Sequence, residues 1–82
     1  MRRCENLKEN EQVLFEIYSE VQKKKVFETG AVLRVNTVRR EVYVCYMDDY
    51  DCYNAVIPFE DMVAVYGKNR EYIELEKFSA AA

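Results

Sequence analysis

Between Gln12 and Tyr66 the chain alternates runs of β-branched and aromatic residues with short polar segments, a pattern of strands joined by tight connections. In the first run, Gln12 to Ser19, Val13, Phe15 and Ile17 alternate with Leu14, Glu16 and Tyr18. A strand is the favoured reading, with a helix as its competitor because Leu14 and Tyr18 also stand four apart. In the second run, Val26 to Val35, Phe27, Thr29, Ala31, Leu33 and Val35 share a face expected to be buried. Glu28, Gly30 and Arg34 lie on the other. Gly30 in mid-strand predicts a bulge or sharp bend. The third run, Glu41 to Tyr46, sets Val42, Val44 and Tyr46 against Glu41, Tyr43 and Cys45. The fourth, Tyr53 to Ile57, is ended by Pro58, which lacks an amide donor. Phe59-Glu60-Asp61 then makes a corner before the fifth run, Met62 to Tyr66. From Arg70 to Lys77, Ile73 and Leu75 alternate with polar and tyrosine positions, and a sixth strand is favoured over a short helix.

This order predicts an all-β fold, a small five- or six-stranded SH3-like or Sm-like barrel with a polar N-terminal arm. The arm is expected over 1–11, as a loose segment or a short helical turn. One barrel domain is expected over 12–78, and a frayed C-terminus over 79–82. The connection Met47 to Cys52 reads as a long acidic loop, and Glu20 to Lys25 as the turn between the first two strands.

The stretch Thr29-Gly30-Ala31-Val32-Leu33-Arg34-Val35-Asn36, with Val56-Ile57-Pro58-Phe59-Glu60-Asp61-Met62-Val63-Ala64-Val65 after it, resembles the YolD-like family. Members of that family carry a strand of the type G-x-I-x-x-I-D and a strand pair ending in I-P-x-x-D-I. The resemblance spans about residues 13–66. The chain departs from the pattern at Asn36, where an aspartate is common, in its Asp-rich segment 47–52, and in having no preceding helical region. The resemblance implies a bacterial or phage cytoplasmic protein, and suggests an accessory to a DNA repair polymerase of the translesion type. It offers no catalytic residues to carry over.

Composition narrows the chemistry. At 82 residues the chain supports one domain, too small to build a deep two-layer catalytic cleft easily. It has no histidine, so Cys45 and Cys52 have no imidazole base and a histidine-containing zinc site is excluded. The three cysteines, Cys4, Cys45 and Cys52, are odd in number and show no CxxC spacing, which reads as reduced thiols in a cytoplasmic protein. No secretory or membrane-spanning run begins at the N-terminus, and no membrane partner is expected. Asp48, Asp49 and Asp51 lack the ligand spacing of a calcium loop and read as a solvated hairpin, so neither metal nor cofactor is expected.

The chain therefore reads as a non-enzymatic binding module. Its seven tyrosines suit an interface, and Tyr43, Cys45, Tyr50 and Tyr53 are the candidate contacts for a protein partner. Strand addition at an open edge, or homo-oligomerisation through it, fits the same reading. The alternative is a nucleic-acid-binding barrel using Lys23, Lys24, Lys25, Arg39 and Arg40. The formal net charge of −3 argues against it, because phosphate contacts carry most of such affinity. An up-and-down meander would also set Lys23–Lys25 at the end with Asp48–Asp51, and Arg39–Arg40 at the end with Glu60 and Asp61. Opposite charges would then meet at each end.

Overall fold

The runs of β-branched and aromatic residues become strands. The computed structural model describes residues 2–76; the frayed end expected at 79–82, and residues 77–78, lie outside the described residues. Seven strands are present: β1 (Arg2–Arg3), β2 (Gln12–Ser19), β3 (Lys24–Asn36), β4 (Glu41–Asp48), β5 (Asp51–Pro58), β6 (Met62–Tyr66) and β7 (Tyr72–Glu76). Single 3-10 turns occupy Cys4–Asn6 and Phe59–Asp61. No helix among the described residues is long and apolar enough to cross a membrane.

All seven strands form one sheet in the order β1-β7-β6-β2-β3-β4-β5. Every pairing is antiparallel except the short parallel pair β1–β7: hairpins join β2–β3, β3–β4, β4–β5 and β6–β7, and β6 returns to pair with β2. The sheet curls around its core but does not close into a barrel: β5 and β1 stand at its two edges. The count of seven exceeds the expected five or six. The alternation at 72–76 does form a strand, and it pairs with β6 at the position where closure would have needed β5. β1 is two residues long and leaves no readable period.

Val13, Phe15, Val32, Val42, Val44, Met62, Val65 and Leu75 fill the inner face and are the largest fully buried side chains. Burying a side chain of this kind contributes about 1.5–3 kcal/mol. β4 faces as its alternation predicts, with Val42 and Val44 buried and Tyr46 packed against the core. β3 does not. Val32 is fully buried while Phe27, on the face expected to be inside, is 64% exposed. The cause is a register shift between β3 and β4, where Val32 pairs with Val44 and Arg34 with Tyr43, leaving Leu33 as an extra residue. Because of this bulge Val32 and Val35 both turn inward. A strict period of two counted back from Val35 selects the wrong face for everything before it. Gly30, in contrast, is not at a bulge: it pairs in register with Val13 and Tyr46.

The N-terminal segment is held rather than loose. It contains the short turn expected there, and Cys4 and Leu7 belong to the core. The Arg2 guanidinium donates to both carboxylate oxygens of Glu11 at 2.8 Å, and to the Asn6 carbonyl oxygen at 2.6 Å. Glu11 also accepts from the Lys8 amide at 2.7 Å. The hydrogen bonds from Arg2, opposed in part by burial, hold the Glu11 carboxyl below its ordinary value. A lowered carboxylate pKa contributes stability that is present above the unfolded-state value and lost as pH falls through the folded-state value. Amide exchange over 2–10 should therefore accelerate selectively on acidification, before global unfolding. Arg2→Ala should produce the same loosening at neutral pH. Uniform protection across both conditions would refute the clamp.

Candidate functional site

Alternation along β3, β4 and β5 decides which side chains reach the outer face of the sheet. Register sets Ala31 beside Cys45 and Cys45 beside Asn54 in a row straight across three strands. A second row runs from Arg34 through Tyr43 to Val56. On the other side of the first row, Met47 faces Cys52, with Thr29 and Phe27 continuing along β3. From Phe27, Thr29 and Ala31 across to β5, these outward positions carry no charge. Arg34, Glu16 and Lys25 mark the border. Three of the apolar side chains are substantially open: Phe27, Met47 at 63% and Val56 at 51%. The Arg34 guanidinium lies 4.2 Å from the centre of the Tyr43 ring, a cation–π contact that orients the ring at the rim of this face.

The outer face ends at β5, whose far edge pairs with no strand among the described residues. From Cys52 to Ile57 that edge has no charged residue and no proline, the usual devices against unwanted pairing. Backbone donors and acceptors on such an edge are suited to receive another strand.

A second surface lies on the inner face, where β2 turns into β3 and β4 into β5. A groove of about 460 Å³ opens there beyond the core. Ile17 and Val26 line it with the rings of Tyr46 and Tyr53, which stand 5.8 Å apart. Glu20, Glu28, Asp48 and Asp49 also line it, and no lysine or arginine does. Burial first, then the charges of Glu28 and Asp48, push the Tyr46 hydroxyl above its ordinary pKa. The charge of Asp51 does the same to Tyr53. Both phenols therefore remain protonated hydrogen-bond donors.

The residues read from sequence as partner contacts do not form one cluster. Tyr43 and Cys45 lie on the outer face, Tyr53 lies on the inner face at the groove, and Tyr50 caps the β4–β5 hairpin. The expected long loop at 47–52 is instead a two-residue turn, Asp49-Tyr50, because β4 and β5 pair as far as Asp48 and Asp51. Tyr50 has φ 135° and is 99% exposed. A bulky residue in that region is strained, and this one has no packing to offset the strain. Tyr50→Gly should accordingly raise stability by about 0.5–1 kcal/mol, read as a higher thermal midpoint; a lower midpoint would show that the ring supports the hairpin.

The basic residues separate as expected, Lys23–Lys25 at one end of the thirteen-residue β3 and Arg39–Arg40 at the other. Their partners differ in part from expectation. Lys25 donates to Asp61 at 2.8 Å rather than meeting the aspartates of the β4–β5 hairpin. Arg39 pairs with Glu41, and Arg40 lies over the Phe59 ring. The reason is the 3-10 corner, which carries the chain from the Arg40 end of the sheet to the start of β6 and brings Asp61 back along β2 and β3. Sequence reasoning missed the open outer positions Phe27, Met47 and Val56. The bulge concealed Phe27, and the apparent loop concealed Met47.

Among the described residues Cys4, Cys45 and Cys52 form no disulfide, and Cys4 is buried. Among the described residues no group of three cysteine or carboxylate side chains could hold a metal ion. No protein-family model matches the chain, and neither the curated proteins nor the solved structures provide a match.

Proposed function

We propose that the chain is a non-enzymatic protein-interaction module that receives an extended, apolar segment of a partner protein along β5 and over the adjoining outer face. The observation that carries this reading is the coincidence of an unpaired eight-residue edge strand with a charge-free face that continues from it. Main-chain hydrogen bonds along the edge would give affinity, and the outward side chains of Tyr43, Met47 and Val56 would select what packs on them. The order β6-β2-β3-β4-β5, with a one-turn corner between β5 and β6, follows the meander of SH3-like small barrels. We read β2–β6 as an open form of that architecture, in which β7 and β1 extend the far edge. The accessory role beside a DNA repair polymerase, suggested by the YolD-like resemblance, is compatible with such a module, but the proposal rests on the surface alone.

The experiment compares the tagged wild-type protein with the double variant Met47→Lys/Val56→Lys in extracts of the source cells, with and without nuclease. A protein should be retained by the wild type after nuclease and moderate salt, and lost from a variant whose circular dichroism and thermal midpoint are unchanged. Recovery that collapses with nuclease would overturn the reading in favour of nucleic acid contacts. Equal recovery by the variant would remove the outer face from consideration.

A further inference from the structure

We propose that the groove between the β2–β3 and β4–β5 hairpins is a receptor for a basic side chain, arginine or lysine, presented by an extended segment of a partner protein. This goes beyond the outer-face reading and uses the opposite side of the sheet. The groove has two chemical parts that match the two parts of such a side chain. Ile17, Val26 and the faces of Tyr46 and Tyr53 suit an aliphatic stem and the plane of a guanidinium. Around them stand Glu20, Glu28, Asp48 and Asp49. None of these four carboxylates is ion-paired among the described residues, whereas Asp61, Glu11 and Glu41 each have a basic partner.

The ligand class follows by comparison. A metal ion would need clustered donors, and no three-ligand group exists among the described residues. Anionic ligands, nucleic acid included, meet only negative charge. A volume of about 460 Å³ is within the range of small-molecule sites and holds one long side chain with its flanking backbone. Of the chain's own cations, Arg2, Arg39 and Lys25 are engaged in ion pairs, and Lys23 and Lys24, on the β2–β3 hairpin, do not line the groove. An ionised carboxylate receiving a guanidinium forms the shorter, stronger class of hydrogen bond, in a place where tyrosine rings exclude part of the water.

The test is a nitrogen-15 amide titration with the capped hexapeptide Gly-Val-Arg-Val-Arg-Gly, and with the same peptide carrying neutral, isosteric citrulline for arginine. The arginine peptide should shift Ile17, Glu28, Asp48 and Tyr53, and the citrulline peptide should not. Glu28→Gln/Asp48→Asn should weaken binding by at least about tenfold. Glu9→Gln/Glu71→Gln, which removes the same charge elsewhere, should leave it within about twofold. Amide dispersion confirms the fold of each variant in the same spectra. The proposal is overturned by equal binding of the citrulline peptide, by equal loss in the two double variants, or by shifts that map outside the groove. Concentration-dependent shifts of the same amides without peptide would also overturn it, assigning the groove to a second copy of the chain. The peptide shifts report the groove and recovery from extracts reports the outer face, so failure of the outer-face reading leaves this result independent.

Discussion

Val32→Asp will unfold the domain, while Phe27→Asp will leave it folded. The two residues lie five apart on β3, both in runs of apolar side chains, and nothing in their chemistry separates them. Register separates them. Val32 is fully buried, and its backbone is tied to the N-terminal segment by hydrogen bonds from the Asn10 amide to its carbonyl and from its own amide to Glu11. A carboxylate there would be desolvated without a cationic partner and would also lose the valine packing, at a cost of about 4 kcal/mol or more. A chain of this length has a total stability of about 4–12 kcal/mol, so a loss of about 4 kcal/mol takes between a third and all of it, and a larger loss leaves the folded state correspondingly depleted. Phe27 projects into solvent from the outer face, and its replacement should stay within about 1 kcal/mol. Urea unfolding followed by circular dichroism distinguishes the two. A folded Val32→Asp together with an unfolded Phe27→Asp would mean that the strand turns its other face to the core.

Gly30→Ala gives the second large effect, and Gly67→Ala is its control. A Cβ at Gly30 would stand 2.5 Å from the Cys45 carbonyl oxygen and 3.0 Å from the Tyr46 Cβ. The first is backbone and cannot rotate away, so β3 and β4 must separate there. The expected cost is about 2–3 kcal/mol. A Cβ at Gly67 would meet the Ile73 Cδ1 at 2.6 Å, but that atom is the free end of a partly exposed side chain. Ile73 can change rotamer, and the substitution should cost less than about 1 kcal/mol. Denaturation midpoints that fall equally in the two variants would refute this account of Gly30.

These two positions also show how far the chain could be read in advance. Five of the strands are visible because Val, Ile, Phe and Tyr recur at every second position, and the weaker alternation over Arg70 to Lys77 favours a sixth, of which 72–76 forms the strand. β1 was invisible because two residues have no period. The buried face of β3 was misread because a single extra residue at Leu33 reverses the alternation without changing the composition. Gly30 was recognised as unusual, but a glycine kept for close approach and one kept for a bend look identical in sequence. Of the candidate site, Tyr43 and Cys45 fell on the predicted face because β4 has no bulge between Glu41 and Asp48. The groove was missed altogether. The meander does set the Glu20–Lys25 turn at the end with Asp48–Asp51, but the bulge in β3 hides that Glu28 and Val26 turn inward there.

The two edges of the sheet are unequal, and that inequality limits what the protein can build. β1 is a pair of arginines, engaged with Glu11, Glu5 and Glu76, and it offers an incoming strand almost nothing to follow. β5 offers eight residues. Head-to-tail growth needs two receptive ends, and among the described residues the far side presents only Arg2–Arg3 and the short Tyr72–Glu74 stretch of β7 that β1 leaves uncovered. Self-association by strand pairing is therefore favoured as β5 to β5 about a two-fold axis, an arrangement that uses the long edge of each chain and stops at two.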